Sequence, residues 1–281
     1  MHFKKVHGLG NDFIFLDLRQ TPDVMTPALA QALCNRNLGV GADGILVFSG
    51  TLLDPTMTIW NSDGTIPEMC GNGIRCFVME LVCSYGATVN PLEVVTGAGR
   101  LSCRWEDRRK SGFEVEVDMG IGLTAGDDVD LSTLIGMSDA SVPARSLRGL
   151  QISTGNPHVV FFDHFSTEEV RAWGPLVTTS AAFPLGVNAE FAEISAPDQV
   201  RLTVHERGAG FTQACGTGAC ATVAAGVRAG LLPMDVPIEV QLPGGVLRIL
   251  QRSVDGHLLM TGSAVEVYEG VVDSRLLVPV S

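Results

Sequence analysis

Short runs rich in Ile, Leu, Val and Phe alternate with polar and glycine-containing segments along the chain, and they predict β-strands. These runs lie at residues 13–18, 44–48 and 56–60 in the first half of the chain and at residues 158–162, 189–194 and 201–204 in the second half. Each half therefore contains the same kind of strand-rich segment.

A capped helix is predicted between the first two strand runs of each half. Thr26 followed by Pro27 has the form of an N-cap and a first helical residue, which predicts a helix to about residue 36. In the second half, Ser166 and Glu169 have the spacing of a capping box and predict the start of the matching helix.

A second helical run in each half follows a Cys-Gly-x-Gly turn. The run after Cys70 has one apolar face, formed by Ile74, Phe77, Val78, Leu81 and Val82. The run after Cys215 consists mostly of small residues from 219 to 229, which predicts a closely packed helix at the centre of a layer. Gly230 is placed to end that helix.

Several motifs recur with one spacing. Cys70 and Cys215 are 145 residues apart (215 − 70), and each is followed by Gly-x-Gly. The same spacing relates Gly10-Asn11 to Gly155-Asn156 and Gly41-Ala42-Asp43 to Gly186-Val187-Asn188, and segments 92–101 and 238–247 match with a slip of one residue. Four matches in the same order indicate two copies of one fold.

The predicted fold class is α+β, with two pseudo-symmetric domains that each fold a mostly antiparallel, barrel-like sheet around a central helix. We expect residues 1–120 plus 264–281 to form the domain that carries Cys70, and residues 121–263 to form the domain that carries Cys215. Residues 120–144, rich in Gly, Asp, Ser and Pro, are the expected linker. Residues 265–280 resemble a strand that returns to the first half. The active site is expected in the cleft between the domains.

Composition narrows the possible partners and locations. A net charge of −12 disfavours a nucleic-acid partner, because phosphate backbones would be repelled. No apolar run approaches the ~18 residues of a membrane span, and no apolar segment follows the first lysines as it would in a signal peptide. Seven cysteines, an odd number without a Cys-x-x-Cys pair, predict reduced thiols and no metal site. We therefore expect a cytoplasmic protein with no membrane or nucleic-acid partner.

The two Cys-Gly-x-Gly turns carry the candidate chemistry. The N–H groups at a helix start carry about half a positive charge, which favours a thiolate and binds a carboxylate. Two such turns related by a pseudo-twofold axis would place two sulfurs on opposite faces of one carbon, so that one removes an α-proton and the other supplies one. The helix N-termini would stabilise the charge that develops. No cofactor is expected, because the lysines are confined to positions 4, 5 and 110 and none suits a Schiff base.

Other polar residues share the register of these cysteines or lie next to them. Asn11 and Asn156 occupy equivalent positions, and Glu206-Arg207 lies between a strand and a glycine-rich turn, where Arg207 suits a second carboxylate. His158 is equally compatible with a supporting role and with packing in a strand. The remaining cysteines are interpreted as core residues: Cys34, Cys76, Cys83, Cys103 and Cys220.

The longer motifs around these residues resemble those of the diaminopimelate epimerase family. They are HGLGNDF at 7–13, NSDG at 61–64, CGNGIRC at 70–76, GNPH at 155–158, VN at 187–188, ERGAG at 206–210, ACGTG at 214–218 and LPGG at 242–245. The resemblance covers nearly the whole chain. Gly44 stands where some members carry Gln, and Thr217 stands where others carry Ser, and neither difference affects the expected chemistry.

The resemblance implies a cofactor-independent epimerase, often a homodimer, that interconverts LL- and meso-diaminopimelate for lysine biosynthesis and peptidoglycan supply. It implies Cys70 and Cys215 as the thiol and thiolate pair. The substrate-binding residues that it implies are Asn11, Asn61, Gly71, Asn72, Asn156, Asn188, Glu206, Arg207, Gly216 and Thr217. It also implies that His158 and Glu206 support the catalytic geometry.

The residues themselves leave three other functions open. A proline or hydroxyproline racemase also uses paired cysteines, although the asparagines and Arg207 suit an open-chain substrate with a second amine and carboxylate. A small-molecule binding protein of the same fold would not need cysteine at both turns. A cysteine hydrolase is disfavoured because His158 has no orienting partner evident in the sequence.

Overall fold

The computed structural model describes residues 1–19, 25–107, 112–135 and 145–273. The chain divides into two compact units, Met1–Val117 with Gly262–Ser281 and Asp118–Thr261, here called unit 1 and unit 2. The strands are β1 (His2–Gly8), β2 (Asn11–Asp17), β3 (Gly44–Gly50), β4 (Pro55–Asn61), β5 (Leu92–Thr96), β6 (Gly99–Asp107), β7 (Phe113–Ile121), β8 (Leu123–Thr124), β9 (Val129–Asp130), β10 (Arg148–Ser153), β11 (Pro157–Phe162), β12 (Asn188–Ala196), β13 (Gln199–Glu206), β14 (Gly210–Phe211), β15 (Ile238–Leu242), β16 (Gly245–Gln251) and β17 (His257–Val271). The helices are α1 (Pro27–Cys34), α2 (Gly71–Cys83), α3 (Leu131–Ile135), α4 (Thr167–Thr178) and α5 (Gly216–Arg228).

The sheet of unit 1 is a closed barrel of eight strands. β1 to β7 pair in sequence order, and β17 pairs with both β1 and β7. The pairs β2–β3 and β4–β5 are parallel, whereas β1–β2, β3–β4, β5–β6 and β6–β7 are antiparallel. Because a parallel pair needs a crossover connection, a helix joins each of the two parallel pairs, α1 for the first and α2 for the second.

Unit 2 repeats this order of elements. Its main strands pair in the order β10, β11, β12, β13, β15, β16 and β17, with parallel pairs at β11–β12 and β13–β15. α4 connects the first parallel pair and α5 connects the second. The predicted α+β fold class, with two copies of a mostly antiparallel sheet around a helix, is confirmed.

The two central helices are buried on nearly every side. In α2 the buried stretch includes Arg75 and Glu80, so this helix has no solvent-facing polar side along residues 71–81, unlike the one-sided pattern that the sequence predicted. Glu80 accepts a hydrogen bond from Ser84 and lies 3.4 Å from the Lys4 ammonium. In α5, a Cβ at Gly226 would lie 2.5 Å from Leu232 Cδ1, which explains the small residues of that helix.

Several predicted boundaries need adjustment. α1 ends at Cys34, two residues before the predicted end, while Thr26 caps it as predicted. The predicted linker is wrong in its described part, because β8, β9 and α3 lie there and β8 and β9 pair with β10. Residues 136–144 lie outside the described residues. β17 returns to pair with β1 as predicted, and residues 274–280 of that segment lie outside the described residues.

The capping box of α4 gives a direct test of local stability. Ser166 Oγ accepts from the Glu169 N–H at 3.2 Å, and Glu169 Oε2 accepts from the Ser166 N–H at 2.8 Å. Ser166→Ala should lower the free energy of unfolding by about 1 kcal/mol, because the Glu169 N–H at the helix start loses its acceptor. Urea unfolding measures the change. Thr167→Ala, at the exposed first helical residue, is the control, and equal midpoints for the two variants would contradict the assignment.

Candidate active site

Cys70 is the N-cap of α2. Its backbone is extended, and Sγ accepts a hydrogen bond from the Gly73 N–H at 3.5 Å. A side chain at position 73 would place Cβ 2.8 Å from Leu46 Cδ2, so glycine allows the start of the helix to approach β3. The sulfur therefore lies at the end of the helix where unpaired N–H groups concentrate positive potential.

Cys215 has the same position at the start of α5. Its Sγ accepts from the Gly218 N–H at 3.3 Å, and its backbone is again extended. A Cβ at Gly218 would lie 2.9 Å from Glu190 Oε1 and 3.2 Å from Cys215 Sγ. The two turns thus share one local structure, and each needs glycine at its third helical position.

Strand ends hold the other site residues of each unit. Asn11 begins β2 and Asn61 ends β4, while Asn188 begins β12 and Glu206 ends β13. In both units, the second strand of the first parallel pair begins at the sheet edge where the antiparallel strand that follows it ends. The pairings Gly44↔Asn61 and Ala189↔His205 show this. The fold therefore gathers chain-distant polar residues at one edge of each sheet.

Asn11 and Asn72 lie at the Cys70 turn. The Cys70 thiol donates to Asn11 Oδ1 at 3.8 Å, and Asn72 Nδ2 donates to the same oxygen at 3.2 Å. Asn11 Nδ2 in turn donates to Asp43 Oδ2 at 2.8 Å. The amide orientation of Asn11 is therefore fixed from both sides, with its oxygen toward the cysteine.

Arg75 is a residue of this turn that the sequence analysis did not single out. Its side chain is fully buried and donates to Gly71 O and to Asn72 Oδ1, both at 2.8 Å, and to Ser263 O at 3.3 Å. Because Asn72 Oδ1 accepts from Arg75, Asn72 Nδ2 is left to face Asn11. The signal in the sequence is an arginine beside the apolar face of a helix that begins at a glycine turn.

Asn61 makes its hydrogen bonds within its own turn. Its Nδ2 donates to Thr65 Oγ1 at 2.9 Å, and its backbone N–H donates to Thr65 O at 2.8 Å. Of the predicted residues of unit 1, Asn11 and Asn72 are thus joined to Cys70 by hydrogen bonds, while Asn61 is held at the end of β4.

Asp12 links the Asn11 position to two cations. Arg36 contacts Asp12 Oδ1 at 2.6 Å and Asp43 Oδ1 at 2.7 Å, and the Lys5 ammonium lies 2.5 Å from Asp12 Oδ2. Burial alone would raise the pKa of Asp12, but the hydrogen bonds from Arg36 and Lys5 outweigh it and lower that pKa to about 2. This ion cluster fixes Asp43, which orients Asn11.

In unit 2, a chain of hydrogen bonds leads to Cys215. Thr217 Oγ1 lies 3.4 Å from Cys215 Sγ, and Asn156 Nδ2 donates to Thr217 Oγ1 at 3.4 Å. His158 Nε2 lies 2.8 Å from Asn156 Oδ1. Three of the residues singled out in the sequence therefore connect to Cys215.

Glu190 completes this group and was missed by the sequence analysis. Its Oε1 lies 2.6 Å from His158 Nδ1, and both side chains are fully buried. Burial raises the pKa of Glu190, and the charge and hydrogen bond of His158 oppose that rise. The signal was a single acid in the otherwise apolar start of β12. The statement that His158 has no orienting partner is wrong. Its Nε2 faces Asn156 Oδ1.

The electrostatics of Cys215 oppose ionisation. Burial, followed by the nearby carboxyl groups of Glu206 and Glu190, raises the pKa of its thiol well above the usual value. Bonds from Thr217 and the Gly218 N–H offset only part of this rise. Burial also raises the pKa of Glu206, whose Oε1 accepts from Thr212 Oγ1. The Gly218 N–H at the helix start lowers the pKa of the thiol, as expected, but burial and the two carboxyl groups outweigh this effect.

Arg207 and Asn188 form a separate contact in unit 2. Asn188 Oδ1 accepts from the Arg207 N–H at 2.9 Å, and the exposed Arg207 guanidinium donates to Leu185 O at 2.6 Å. A Cβ at Gly186, whose φ is +72°, would lie 2.5 Å from Arg207 Cδ. Glycine at 186 thus allows the arginine side chain to lie against the loop that precedes β12.

Two kinds of feature are absent from the residues that the structure describes. No helix in that part of the chain has the length and apolar composition needed to cross a membrane. Within the same residues, no group of three or more His, Cys, Asp or Glu side chains is arranged to hold a metal ion.

Comparisons with known proteins agree with this architecture. The solved structure of a predicted epimerase from Pseudomonas aeruginosa covers 96% of this chain and 98% of its own, with a TM-score of 0.76 at 14% identity. The solved structure of a hydroxyproline epimerase from Agrobacterium vitis, with trans-4-hydroxy-L-proline bound, covers 97% of this chain and 92% of its own, with a TM-score of 0.71 at 14% identity. The chain therefore has the duplicated α+β fold of these solved proteins.

Sequence comparison defines the family within that fold. The family model for diaminopimelate epimerase matches residues 3–122 and 150–267. A protein of Synechococcus elongatus named diaminopimelate epimerase is 42% identical over 97% of this chain and 98% of its own length. The chain belongs to the diaminopimelate epimerase family, and the resemblance drawn from its motifs is confirmed.

The ion cluster around Asp12 should make stability depend on pH. A lowered pKa stabilises the folded state above the unfolded pKa of 3.8, and this contribution is lost as pH falls toward the folded pKa of about 2. Asp12→Asn should therefore cost about 2 kcal/mol of unfolding free energy at pH 7, and the difference from wild type should shrink steadily between about pH 5 and pH 2.

Urea unfolding at several pH values measures this difference. Asp54→Asn, which removes one partner of an exposed pair with Arg100, is the matched control and should change little at any pH. A loss for Asp12→Asn that is constant from pH 7 to pH 2 would contradict the electrostatic account.

Proposed function

We propose that this chain is a cofactor-independent epimerase that interconverts LL- and meso-diaminopimelate by proton transfer between two cysteines. One observation carries the proposal: cysteine is the N-cap of the central helix in both copies of the fold, in a chain of the diaminopimelate epimerase family. Such an activity serves lysine biosynthesis and supplies a peptidoglycan precursor.

The reaction requires one base and one acid on opposite faces of the α-carbon. In the proposed mechanism, a thiolate removes the α-proton and the other thiol gives its proton to the opposite face, so the pair again holds one proton after turnover. Cys215 lies beside Glu206 and Glu190, which favour its protonated form. Because Asn11 Oδ1 also accepts from the Cys70 thiol, we assign the single resting proton to the pair of cysteines as a whole.

The substrate carboxylate at the reacting carbon needs donors that are already oriented. We propose that the first turns of α2 and α5 supply them, through Gly71 and Asn72 in one unit and Gly216 and Thr217 in the other. The N–H groups of a first helical turn have no carbonyl partner within the helix, and the helix dipole adds to their attraction for an anion. These donors also stabilise the negative charge that develops as the α-proton leaves.

The remaining polar residues are proposed to bind the distal half of the substrate and to hold the catalytic groups in position. Arg207 would pair with the distal carboxylate, for which its exposed guanidinium is suited. The proposed amine and carboxylate ligands are Asn11, Asn61, Asn156, Asn188 and Glu206. His158 and Glu206 would support the geometry and charge at Cys215, and the site would lie in the cleft between the two domains, 1–120 plus 264–281 and 121–263.

No cofactor is needed for this reaction. The two lysines in the described part of the chain are both engaged in ion pairs, Lys4 with Glu266 and Lys5 with Asp12. A proline or hydroxyproline racemase is less well supported, because the solved racemase-like structures are only 14% identical, whereas the relatives named diaminopimelate epimerase are about 40% identical.

We also propose a cytoplasmic homodimer whose only small-molecule partner is diaminopimelate. The second half of β17 has exposed apolar side chains that a partner subunit would cover, at Val265, Val267, Tyr268 and Val271. The odd number of cysteines and the acidic composition support a reducing, cytoplasmic location without a nucleic-acid partner.

Exchange of the α-hydrogen tests the proposed reaction. In D₂O, the wild-type protein should incorporate deuterium at the α-carbon of LL-diaminopimelate. Cys70→Ser and Cys215→Ser should each lower epimerisation by about 100-fold or more, because a positioned acid or base contributes at least that much. Cys83→Ser, at an exposed cysteine on the same helix as Cys70, is the control and should retain full activity. Epimerisation at the wild-type rate in both active-site variants would refute the cysteine pair.

The oligomeric state is tested separately. Analytical ultracentrifugation should give about 60 kDa for the wild-type protein, twice the chain mass of 29.8 kDa. Val267→Glu, which places a charge on the exposed face of β17, should shift the mass toward the monomer, whereas Val254→Glu at another exposed position should not. A wild-type monomer at micromolar concentration would contradict the dimer.

A further inference from the structure

The hydrogen bonds around His158 determine where its protons lie. Asn156 uses Nδ2 to donate to Thr217, so its Oδ1 faces His158 Nε2 as an acceptor at 2.8 Å. An oxygen acceptor requires that Nε2 carry a hydrogen. The 2.6 Å contact between His158 Nδ1 and Glu190 Oε1 then requires one further proton, shared between these two atoms. Glu190 therefore fixes the histidine in the form that donates from Nε2.

These proton positions determine which atom donates in each of the remaining hydrogen bonds between His158 and Cys215. Because Asn156 Nδ2 donates to Thr217 Oγ1, the hydroxyl hydrogen of Thr217 is directed elsewhere. Its neighbour Cys215 Sγ lies at 3.4 Å, where either atom can donate, and when Cys215 is a thiolate only the hydroxyl has a hydrogen to donate. A donor to the sulfur stabilises the thiolate that Cys215 must become when it acts as the base.

We propose that Glu190 is a positioning residue for the epimerase reaction, which acts on Cys215 through His158, Asn156 and Thr217 by fixing the direction of their hydrogen bonds. This inference rests on the proposed function. It assigns a role to a residue that is not itself expected to touch the substrate.

The location of Glu190 supports a specific role over simple filling of space. A carboxyl group is costly to bury unless it is hydrogen-bonded, and this one lies wholly inside unit 2. Its Oε1 lies where a side chain at position 218 would be, so glycine there leaves room for it beside Cys215. The other ionisable groups that face this cluster are His158, Glu206 and Cys215 itself.

The histidine–glutamate pair of unit 2 has no counterpart at the equivalent positions of unit 1. With the 145-residue repeat, the positions equivalent to His158 and Glu190 are Phe13 and Ile45, both buried and apolar. These two side chains cannot form a histidine–glutamate pair, and Asn11, the neighbour of the thiol in unit 1, is oriented by Asp43. The two sulfurs are held by different means although their turns are alike.

Two substitutions at position 190 separate orientation from packing. Glu190→Gln keeps the shape and can donate an amide hydrogen to His158 Nδ1, which leaves Nε2 protonated and the direction unchanged. Glu190→Leu fills a similar volume but offers no hydrogen bond, so His158 is free to lose its Nε2 hydrogen and Asn156 to turn its amide. A packing role predicts that Leu is tolerated at least as well as Gln. An orientation role predicts the opposite.

The first readout needs no catalysis. In protein labelled with ¹⁵N-histidine, the ring signals of His158, assigned by their loss in His158→Asn, should report a hydrogen on Nε2 in wild type and in Glu190→Gln. The Nε2 hydrogen should be lost or only partly populated in Glu190→Leu. Glu193→Gln is the matched control, since Glu193 lies on the same strand and pairs with a different, exposed histidine, His164. An unchanged Nε2 hydrogen in Glu190→Leu would overturn the proposal.

The second readout is the epimerisation rate. Glu190→Leu should lower kcat by roughly tenfold with little change in KM, and Glu190→Gln should stay within about threefold of wild type, the range expected for one hydrogen bond to a charged group. In a Thr217→Val background, which removes the last hydroxyl of the relay, Glu190→Leu should cost less than about twofold more, because coupled residues are not additive. Additive losses would overturn the relay.

The two readouts distinguish failure of this inference from failure of the proposed function. A wild-type protein without α-hydrogen exchange would remove the proposed function, while the nitrogen signals would still decide whether Glu190 fixes His158. Exchange in the wild type together with equal activity of the Leu and Gln variants would retain the function and overturn the role of Glu190.

Discussion

A glycine N–H donates to a cysteine sulfur at the start of each central helix, and the rest of the site depends on this contact. It fixes the sulfur at the positive end of a helix that is buried inside its sheet. The contact requires glycine at the third helical position in both units, because Leu46 lies against one turn and Glu190 against the other. Strand ends hold Asn11, Asn61, Asn188 and Glu206, while Asn72, Arg75 and Thr217 lie in the two helices themselves.

The two halves share a backbone and differ in charge. Around Cys70, the buried Arg75 and the ion cluster of Asp12 orient two asparagines. Around Cys215, Glu206 and the Glu190–His158 pair surround the sulfur with carboxyl groups. Asn61 and Glu206 are themselves equivalent in the repeat, so an amide in one half corresponds to an acid in the other. The two thiols, alike in their turns, therefore lie in different polar surroundings.

Much of the fold could be predicted because the repeated motifs and the apolar runs are visible directly in the sequence. The six predicted strands are present, each extended by one to four residues, and the caps at Thr26 and Ser166 lie where the sequence placed them. β1 was missed because Lys4 and Lys5 interrupt its apolar pattern, and only the fold reveals that Lys5 is buried against Asp12. The segment after Gly120 was taken for a linker because its strands are only two residues long.

The site could be predicted less completely. Asn11 and Asn156 became candidates because they share the register of the cysteines in the repeat, whereas Asn72 and Thr217 were expected only from the resemblance to the family. Arg75 and Glu190 were not predicted. Each is a charged residue within an apolar element, and its role depends on contacts with residues far away in the chain. Burial of a charge beside a specific partner is a property of packing, and the sequence pattern alone does not reveal it.

The central claim is that one sulfur from each half reaches the same carbon from opposite faces. A crystal structure of the Cys70→Ser, Cys215→Ser double variant with LL-diaminopimelate bound tests it most directly. The account predicts both serine oxygens within about 3.5 Å of one α-carbon, on opposite sides of the plane defined by its other substituents. Serine oxygens on the same side of that carbon, or only one of them near it, would contradict the account.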